Sequence, residues 1–198
     1  KFEETFAASI GSKYAIAVNS GTSGLHAALY AAGVEPGDEV IQPAKTVVMD
    51  AYVTIHMGAI PIFADICAKS WNIDPNQIEE KITKKTKAII VVSLYGLPVD
   101  IEPIMKIAAK HNLIVIDDSA ETLMTKYKDD YAGTHADIAV YSFEKSKHMT
   151  SGSEGGMLIT SDKNLAVRAR KFAGIGYKGL TAEAGRTSLA SSVYQDPD

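Results

Sequence analysis

Two lysines follow an apolar run in the segment YSFEKSKHMTSGSEGG, and small residues and glycines follow the lysines. The run from Tyr141 to Phe143 has the pattern of a strand, so Lys145 and Lys147 come just after its end. A lysine usually carries a solvent-exposed charge. A lysine that is withdrawn from water loses proton affinity and can form a Schiff base with a carbonyl compound. Lys147 or Lys145 is therefore a candidate nucleophile.

A possible phosphate site lies in the segment NSGTSGLH, which follows the first predicted strand. The turn formed by Gly21, Thr22 and Ser23 would open a helix and offer free backbone N–H groups, two hydroxyls and the positive end of the helix dipole. The alternative is that Ser20 or Thr22 caps the helix and that the motif binds no phosphate. The motif alone does not decide between the two interpretations.

A pair of acids ends the run VIDDSAE. One of Asp117 and Asp118 must point inward if side chains alternate along the strand, and an inward carboxylate needs a cation, a metal or a protonated ring nitrogen. Capping of a following helix by Asp118 or Ser119 is the alternative. His111 and His135 do not have the spacing of metal ligands, so no metal is expected.

Seven apolar, β-branched runs alternate with helical patterns along the chain. We predict strands at 15–19, 39–42, 61–66, 87–94, 113–118, 138–143 and 156–160. Several are almost continuously apolar, as in strands that helices cover on both faces. The pattern predicts an α/β fold with three α/β/α layers and a seven-stranded, mostly parallel sheet.

Polar residues mark the expected helix starts and one helix end. Gly33 suits a left-handed position after a helix that begins near Ser23, and the Gly- and Ser-rich tail after Phe172 is predicted to be loop. The predicted N-caps are Asp74, Asp100 and Ser161.

The composition limits the class of protein. The 198 residues are 46% hydrophobic and 22% charged, enough for one sizeable core. The net charge of -4 makes a nucleic-acid partner unexpected. A single cysteine, Cys67, fits a reducing compartment, and no apolar run approaches the roughly 20 residues of a membrane helix. We expect a cytoplasmic protein with no membrane partner.

The three candidate groups fall at the carboxyl ends of predicted strands, where ligands bind in folds of this class. A phosphate cup, a carboxylate for a pyridinium nitrogen and a lysine for an aldehyde are the requirements of pyridoxal 5′-phosphate (PLP). The combination is more specific than any one group, and it predicts a PLP site.

Ordered blocks along almost the whole chain carry a family resemblance. They include AVNSGTSGLHAAL, GVEPGDEVIQPAKT, GAIPIFADI, WNIDP, VIDDSAE and YSFEKSK. The chain resembles the fold-type I, PLP-dependent sugar aminotransferases of the DegT–StrS type. The resemblance implies that residues 1–198 are the PLP-binding large domain, without the family's N-terminal lead-in and small C-terminal domain. It also implies a homodimer whose active sites share residues.

Carried over by position, the resemblance makes Lys147 the Schiff-base lysine and Asp118 the partner of the pyridine nitrogen. Val47 and Glu121 are expected beside the cofactor, but both depart from the family. Val47 replaces an aromatic residue and loses a stacking contribution of about 1 kcal/mol. Glu121 replaces Gln or His near the phenolic oxygen, which a carboxylate repels unless it is protonated or turned away. The resemblance assigns the phosphate to Gly21, Thr22, Ser23 and Ser142.

The spacing after the lysine leaves two alignments. Counting forward from the strand gives Lys147, and counting back from the SEGG block gives His148. Relatives with histidine at this position are dehydratases. We prefer Lys147, because the strand fixes the geometry and loops absorb insertions.

The implied function is a PLP-dependent aminotransferase of amino-sugar and polysaccharide biosynthesis. It would move an amino group, expected from glutamate, to a keto sugar, expected to be nucleotide-linked, while PLP cycles through pyridoxamine phosphate (PMP). Two alternatives remain: a PMP-dependent sugar dehydratase that uses His148, and a non-catalytic binding protein, which Val47 and Glu121 keep open. A nicotinamide-binding domain ranks lower, because no G-x-G-x-x-G follows the first strand.

Overall fold

A seven-stranded sheet organises the computed structural model, which describes residues 1–174 and 176. The strands are β1 (Tyr14–Val18), β2 (Glu39–Pro43), β3 (Ile60–Ala64), β4 (Thr86–Val92), β5 (Ile114–Asp118), β6 (Lys126–Tyr127), β7 (Asp130–Tyr131), β8 (Ile138–Ser142) and β9 (Gly156–Thr160). The large sheet has the order β1-β9-β8-β5-β4-β2-β3, and β6 and β7 form a separate hairpin. Strands β8, β5, β4, β2 and β3 are parallel neighbours, whereas β9 is antiparallel to β1 and β8. The prediction of a mostly parallel, seven-stranded sheet is confirmed.

Among the described residues, five α-helices cover the two faces of this sheet. They are α1 (Phe2–Ile10), α2 (Gly21–Ala31), α3 (Met49–His56), α4 (Ile101–His111) and α5 (Lys163–Ala173). Alternate residues of a strand face opposite sides. Thus Ile90 and Ile116 join a core with α2, α3 and α5, while Ile89 and Val115 join the core that contains α4. Helix α1 packs on that second face, against β1, β8 and β9. The three-layer arrangement is confirmed.

Two of the three predicted N-cap residues do not cap their helices through their side chains. Asp162, not Ser161, caps α5, because its carboxylate accepts hydrogen bonds at 2.7 and 2.9 Å from two N–H groups of the first turn. Asp100 does precede α4, but its carboxylate accepts from the Tyr127 hydroxyl at 2.6 Å and makes no helix cap. Asp74 caps as predicted, although the helix that it begins is only a three-residue 3₁₀ turn.

The other local predictions concern the ends of α2 and α5. Gly33, with φ of 77°, takes the left-handed position after α2, as predicted. Helix α5 ends at Ala173, and most of the tail that we predict to be loop lies outside the described residues. None of the helices described is long and apolar enough to cross a membrane.

Candidate active site

A cleft of about 260 Å³ opens at the carboxyl ends of the parallel strands. Seven of the eight residues that the sequence assigns to the site line this cleft: Gly21, Thr22, Val47, Asp118, Glu121, Ser142 and Lys147. Ser23 lines a neighbouring cavity together with His26. The sequence analysis missed further lining residues, among them Met49, Val92, Glu144 and Glu154.

The N-terminus of α2 forms one wall of the cleft. Ser20 is the N-cap, and its hydroxyl oxygen accepts a hydrogen bond from the Ser23 N–H at 3.1 Å. The N–H groups of Gly21 and Thr22 belong to the first turn, where a helix provides no internal acceptor. Capping and anion binding, which the sequence could not separate, are therefore compatible: Ser20 caps the helix while its first turn faces the cleft.

Two glycines permit the close approach of strand and helix at this wall. A Cβ atom on Gly21 would lie 3.0 Å from Cβ of Ser142, so a larger residue would push the Ser142 hydroxyl away from the helix end. A Cβ on Gly156 would lie 2.8 Å from the carbonyl carbon of Ser20. Glycine at both positions keeps the hydroxyls of Thr22 and Ser142 beside the free N–H groups.

Asp118 ends β5 at the floor of the cleft and is almost completely buried. Its Oδ1 accepts a hydrogen bond from the Ala120 N–H at 3.0 Å. Burial raises the pKa of Asp118 to about 6, with a smaller upward contribution from the charge of Glu121; the Ala120 hydrogen bond and the charge of Lys147 act in the opposite direction. The carboxyl group is thus positioned to receive a cationic partner in the cleft.

Asp117 is also buried, although alternation requires only one of the two acids to point inward. The two side chains lie on opposite faces of the sheet. Asp117 lies 3.4 Å from the Ser93 hydroxyl, which donates a hydrogen bond to Oδ1. Burial raises the pKa of Asp117 to about 7, and the hydroxyls of Ser119 and Ser93 lower it by less. This acid does not line the cleft.

Lys147 and Glu121 form an ion pair between the cleft and a second, outer cavity. Their Nζ and Oε1 atoms are 3.3 Å apart, and both side chains are about four-fifths buried, at 22% and 23% exposed. The outer cavity is lined by these two residues with Tyr95, Ser146 and His148. Lys145 is exposed, and His148 borders only the outer cavity. The position of Lys147 between the two cavities agrees with the alignment counted forward from β8.

Glu121 also anchors the segment that follows β4. Its Oε2 accepts a hydrogen bond from the Tyr95 N–H at 2.7 Å. Tyr95 has φ of 54°, a left-handed conformation that is costly for a residue other than glycine. The Glu121 side chain thus contacts both Lys147 and this N–H group.

Val47 and Met49 supply an aliphatic wall. None of the described residues that line the cleft has an aromatic ring. Within residues 1–174 and 176, no three His, Cys, Asp or Glu side chains are grouped so as to hold a metal ion.

Asp50, in the first turn of α3, is a buried acid next to Asp118 that the sequence analysis missed. The helix starts after Val48, which makes no side-chain cap, so no capping signal drew attention to this segment. Asp50 is fully buried, and Thr46 donates a hydrogen bond from its hydroxyl to Oδ2 at 2.7 Å.

Comparison with known proteins places the chain among aminotransferases. The model of the DegT/DnrJ/EryC1/StrS aminotransferase family matches residues 1–191. GDP-perosamine synthase of Escherichia coli O157:H7 is 46% identical over 176 residues, which are 89% of this chain and 48% of that protein. The spore coat polysaccharide biosynthesis protein SpsC of Bacillus subtilis is 43% identical over 170 residues, 86% of this chain and 43% of that protein. The chain spans about half the length of the curated relatives that it matches.

Solved structures show the same architecture. An aminotransferase from Psychrobacter cryohalolentis superposes with a TM-score of 0.89 and 36% identity, covering 98% of this chain and 49% of that one. NtdA from Bacillus subtilis, solved with bound cofactor PMP, has a TM-score of 0.84 and 33% identity, covering 92% of this chain and 41% of that one. The fold-type I architecture expected from the sequence is confirmed.

Proposed function

Since the chain belongs to the DegT/DnrJ/EryC1/StrS aminotransferase family, we propose that it forms the PLP-binding large domain of a sugar aminotransferase. The observation that carries the proposal is the meeting of Lys147, Asp118 and the N-terminus of α2 at one cleft. The amino donor that we propose is an amino acid, with glutamate the first candidate. The acceptor is a keto sugar linked to a nucleotide.

The residues of the cleft fit PLP. The first-turn N–H groups of α2 lack acceptors within the helix, and the hydroxyls of Thr22 and Ser142 lie beside them, which suits a phosphate. Asp118 would accept a hydrogen bond from the protonated ring nitrogen, and Lys147 would hold the aldehyde end. When bound, PLP supplies an electron sink for the amino acid's α-carbon.

Lys147 is the residue of this chain that we propose moves the proton. Its amine reaches both cavities, and Glu121 holds it there at 3.3 Å. A partly buried amine that alternates between charged and neutral forms can act as general base and general acid at one position. Asp118, when ionised, would keep the ring nitrogen of PLP protonated. The surrounding Val47, Met49 and Val92 side chains would limit access of water.

The substrate assignment rests on the relatives and on the outer cavity. The E. coli relative is named as a GDP-perosamine synthase, and the B. subtilis relative as a polysaccharide biosynthesis protein. The outer cavity, with Tyr95, Ser146 and His148 on its wall, adjoins the amine of Lys147 and would admit a sugar from solvent. We therefore propose a nucleotide sugar as the acceptor.

A homodimer is the assembly that we propose. Val48, Tyr52 and Ile55 lie on one face of α3 and are 66%, 50% and 60% exposed. The same helix start carries Val47 and Met49, which line the cleft. A second copy covering this apolar face would therefore lie next to the site and could contribute to it. The free cysteine Cys67 supports a reducing compartment, and we propose the cytoplasm.

The test is to bind PLP to the full-length protein, reduce it with borohydride and map the labelled peptide. Reduction fixes PLP to the lysine that holds it, so the label should be on Lys147. The label should disappear in Lys147→Ala. It should persist in the matched variant Lys145→Ala, which removes an exposed lysine from the same loop. Binding of PMP with no label on any lysine would favour the dehydratase. Binding of neither cofactor would overturn the proposal.

A further inference from the structure

Asp50 is a carboxyl group with too few partners for a buried charge. Its residue is 0% exposed. Oδ2 accepts the Thr46 hydroxyl hydrogen bond at 2.7 Å, and the backbone carbonyl accepts another from the Thr54 hydroxyl at 2.9 Å. Oδ1 is buried and accepts no hydrogen bond. An isolated carboxylate in such surroundings would be strongly unfavourable.

The charged group that acts on Asp50 is the carboxyl of Asp118, and Oδ1 of Asp50 is the buried oxygen that is left without a partner. A carboxylate has no hydrogen to donate, so a hydrogen bond between two carboxyl groups requires a proton on one of them. Two unprotonated carboxylates at this depth would repel. The pair therefore holds one proton.

The surroundings determine which carboxyl carries that proton. Asp118 accepts a hydrogen bond from the Ala120 N–H, and the positive charge of Lys147 acts on it. Both interactions stabilise the ionised form of Asp118. Glu121 opposes them with a smaller effect than that of Lys147. Among the described residues, the charged group that acts on Asp50 is Asp118 itself. Burial and the charge of Asp118 raise the pKa of Asp50 well above its usual value. The negative charge thus belongs on Asp118 and the proton on Asp50.

We propose that Asp50 is a positioning residue that donates its proton in a hydrogen bond to Asp118, which keeps Asp118 ionised and directed at the ring nitrogen of the cofactor. The part of this inference that concerns the cofactor rests on the proposed function. The shared proton rests on the complete burial of Asp50, on its unpartnered Oδ1 and on the charge of Asp118 that acts on it. The proton stays on Asp50 throughout, so no group is oxidised or transferred.

Two substitutions separate hydrogen-bond donation from simple packing. In Asp50→Asn, the amide N–H can donate to Asp118 while the amide oxygen accepts from Thr46. In Asp50→Leu, a side chain of similar size can do neither. Asn should therefore act as a neutral, protonated Asp50 does, whereas Leu leaves Asp118 without its donor.

The experiment is a pH titration of the cofactor-free, full-length protein labelled with ¹³C at aspartate carboxyl carbons. In the wild type, the signal lost in Asp50→Asn should have the shift of a protonated acid at pH 7. Asp118 should titrate at a higher pH in Asp50→Leu than in Asp50→Asn. An ionised Asp50 at pH 7, or the same Asp118 titration in both variants, would overturn the shared proton. Near-UV circular dichroism verifies that each variant is folded.

A PLP binding titration then tests the positioning role. We expect affinity within about threefold of the wild type for Asp50→Asn and a loss of about tenfold or more for Asp50→Leu, the effect of one hydrogen bond to a charged group. Equal affinities would overturn this role. A wild type that binds no PLP would instead overturn the proposed function, and the titration without cofactor would still show whether the proton is shared.

Discussion

Three buried acids lie at or near the end of β5, and each has a pKa raised by burial. Asp118 lines the cleft, Asp50 acts on it from the first turn of α3, and Asp117 points to the other face of the sheet. Their roles differ because their partners differ: Asp118 faces Lys147, whereas Asp117 has hydroxyl partners, such as Ser93, and no cation among the described residues acts on it. Asp117 has no role in the proposed chemistry, and its burial should be visible in stability alone.

Asp117→Asn should make the free energy of unfolding less dependent on pH. Because the folded-state pKa of Asp117 is about 7, the folded protein binds more protons than the unfolded chain between roughly pH 4 and pH 7. The contribution of Asp117 to wild-type stability is therefore greatest below this window and falls as the pH rises through it. The amide has no proton to lose, so the stability of the variant relative to the wild type should rise by about 4 kcal/mol between pH 4 and pH 8.

Urea unfolding at the two pH values measures the change at Asp117. The comparison at pH 4 is the internal control, because the wild-type carboxyl is then protonated and as neutral as the amide. A stability difference that stays constant from pH 4 to pH 8 would show that Asp117 is ionised in the folded protein across the window, contrary to the effect of its burial.

At the scale of elements, the site depends on how closely the start of α2 packs against β8 and β9. In Gly156→Ala, the new Cβ would lie 2.8 Å from the Ser20 carbonyl carbon, so α2 must shift away from the strand. We expect a loss of about 1–3 kcal/mol in stability, as for other overpacked positions, and a weaker affinity for PLP because the phosphate wall moves.

Gly155→Ala is the matched control for the packing of α2. At that position the nearest atom to a new Cβ is the Ser151 hydroxyl oxygen, which can rotate away, and the backbone of α2 is not among the three nearest atoms. Urea unfolding and PLP titration should therefore show a smaller effect than for Gly156→Ala. Equal effects of the two substitutions would show that the contact between β9 and α2 does not determine the geometry of the phosphate wall.

The sequence predicted the sheet well, because its strands are covered on both faces and appear as continuous apolar runs. All seven predicted strands lie within two residues of the observed bounds. Helices α1 and α3 were not predicted, since neither has a side-chain cap at its start. The position of Asp50 depends on α3, so its contact with Asp118 could not be found from spacing. The pairing of Glu121 with Lys147 likewise depends on two loops that meet only in the fold.

At the scale of the whole molecule, the apolar face of α3 is the feature that the chain's own core does not bury. Val48, Tyr52 and Ile55 are spaced by four and three residues, the spacing of a helix face that packs against another surface. Because α3 also carries the aliphatic wall of the cleft, an interface here would connect assembly with the site.

Ile55→Glu should convert the proposed homodimer to a monomer, because a charge placed in an apolar interface must be desolvated without a partner. Size-exclusion chromatography with light scattering on the full-length protein measures the mass.

Leu97→Glu is the matched control, since Leu97 is half-exposed but borders a different cavity, near Cys67 and Asp100. This variant should stay dimeric. If the partner completes the site, Ile55→Glu should also bind PLP more weakly at equal protein concentration. A dimer that survives Ile55→Glu would place the interface elsewhere, and the exposed face of α3 would then need another explanation.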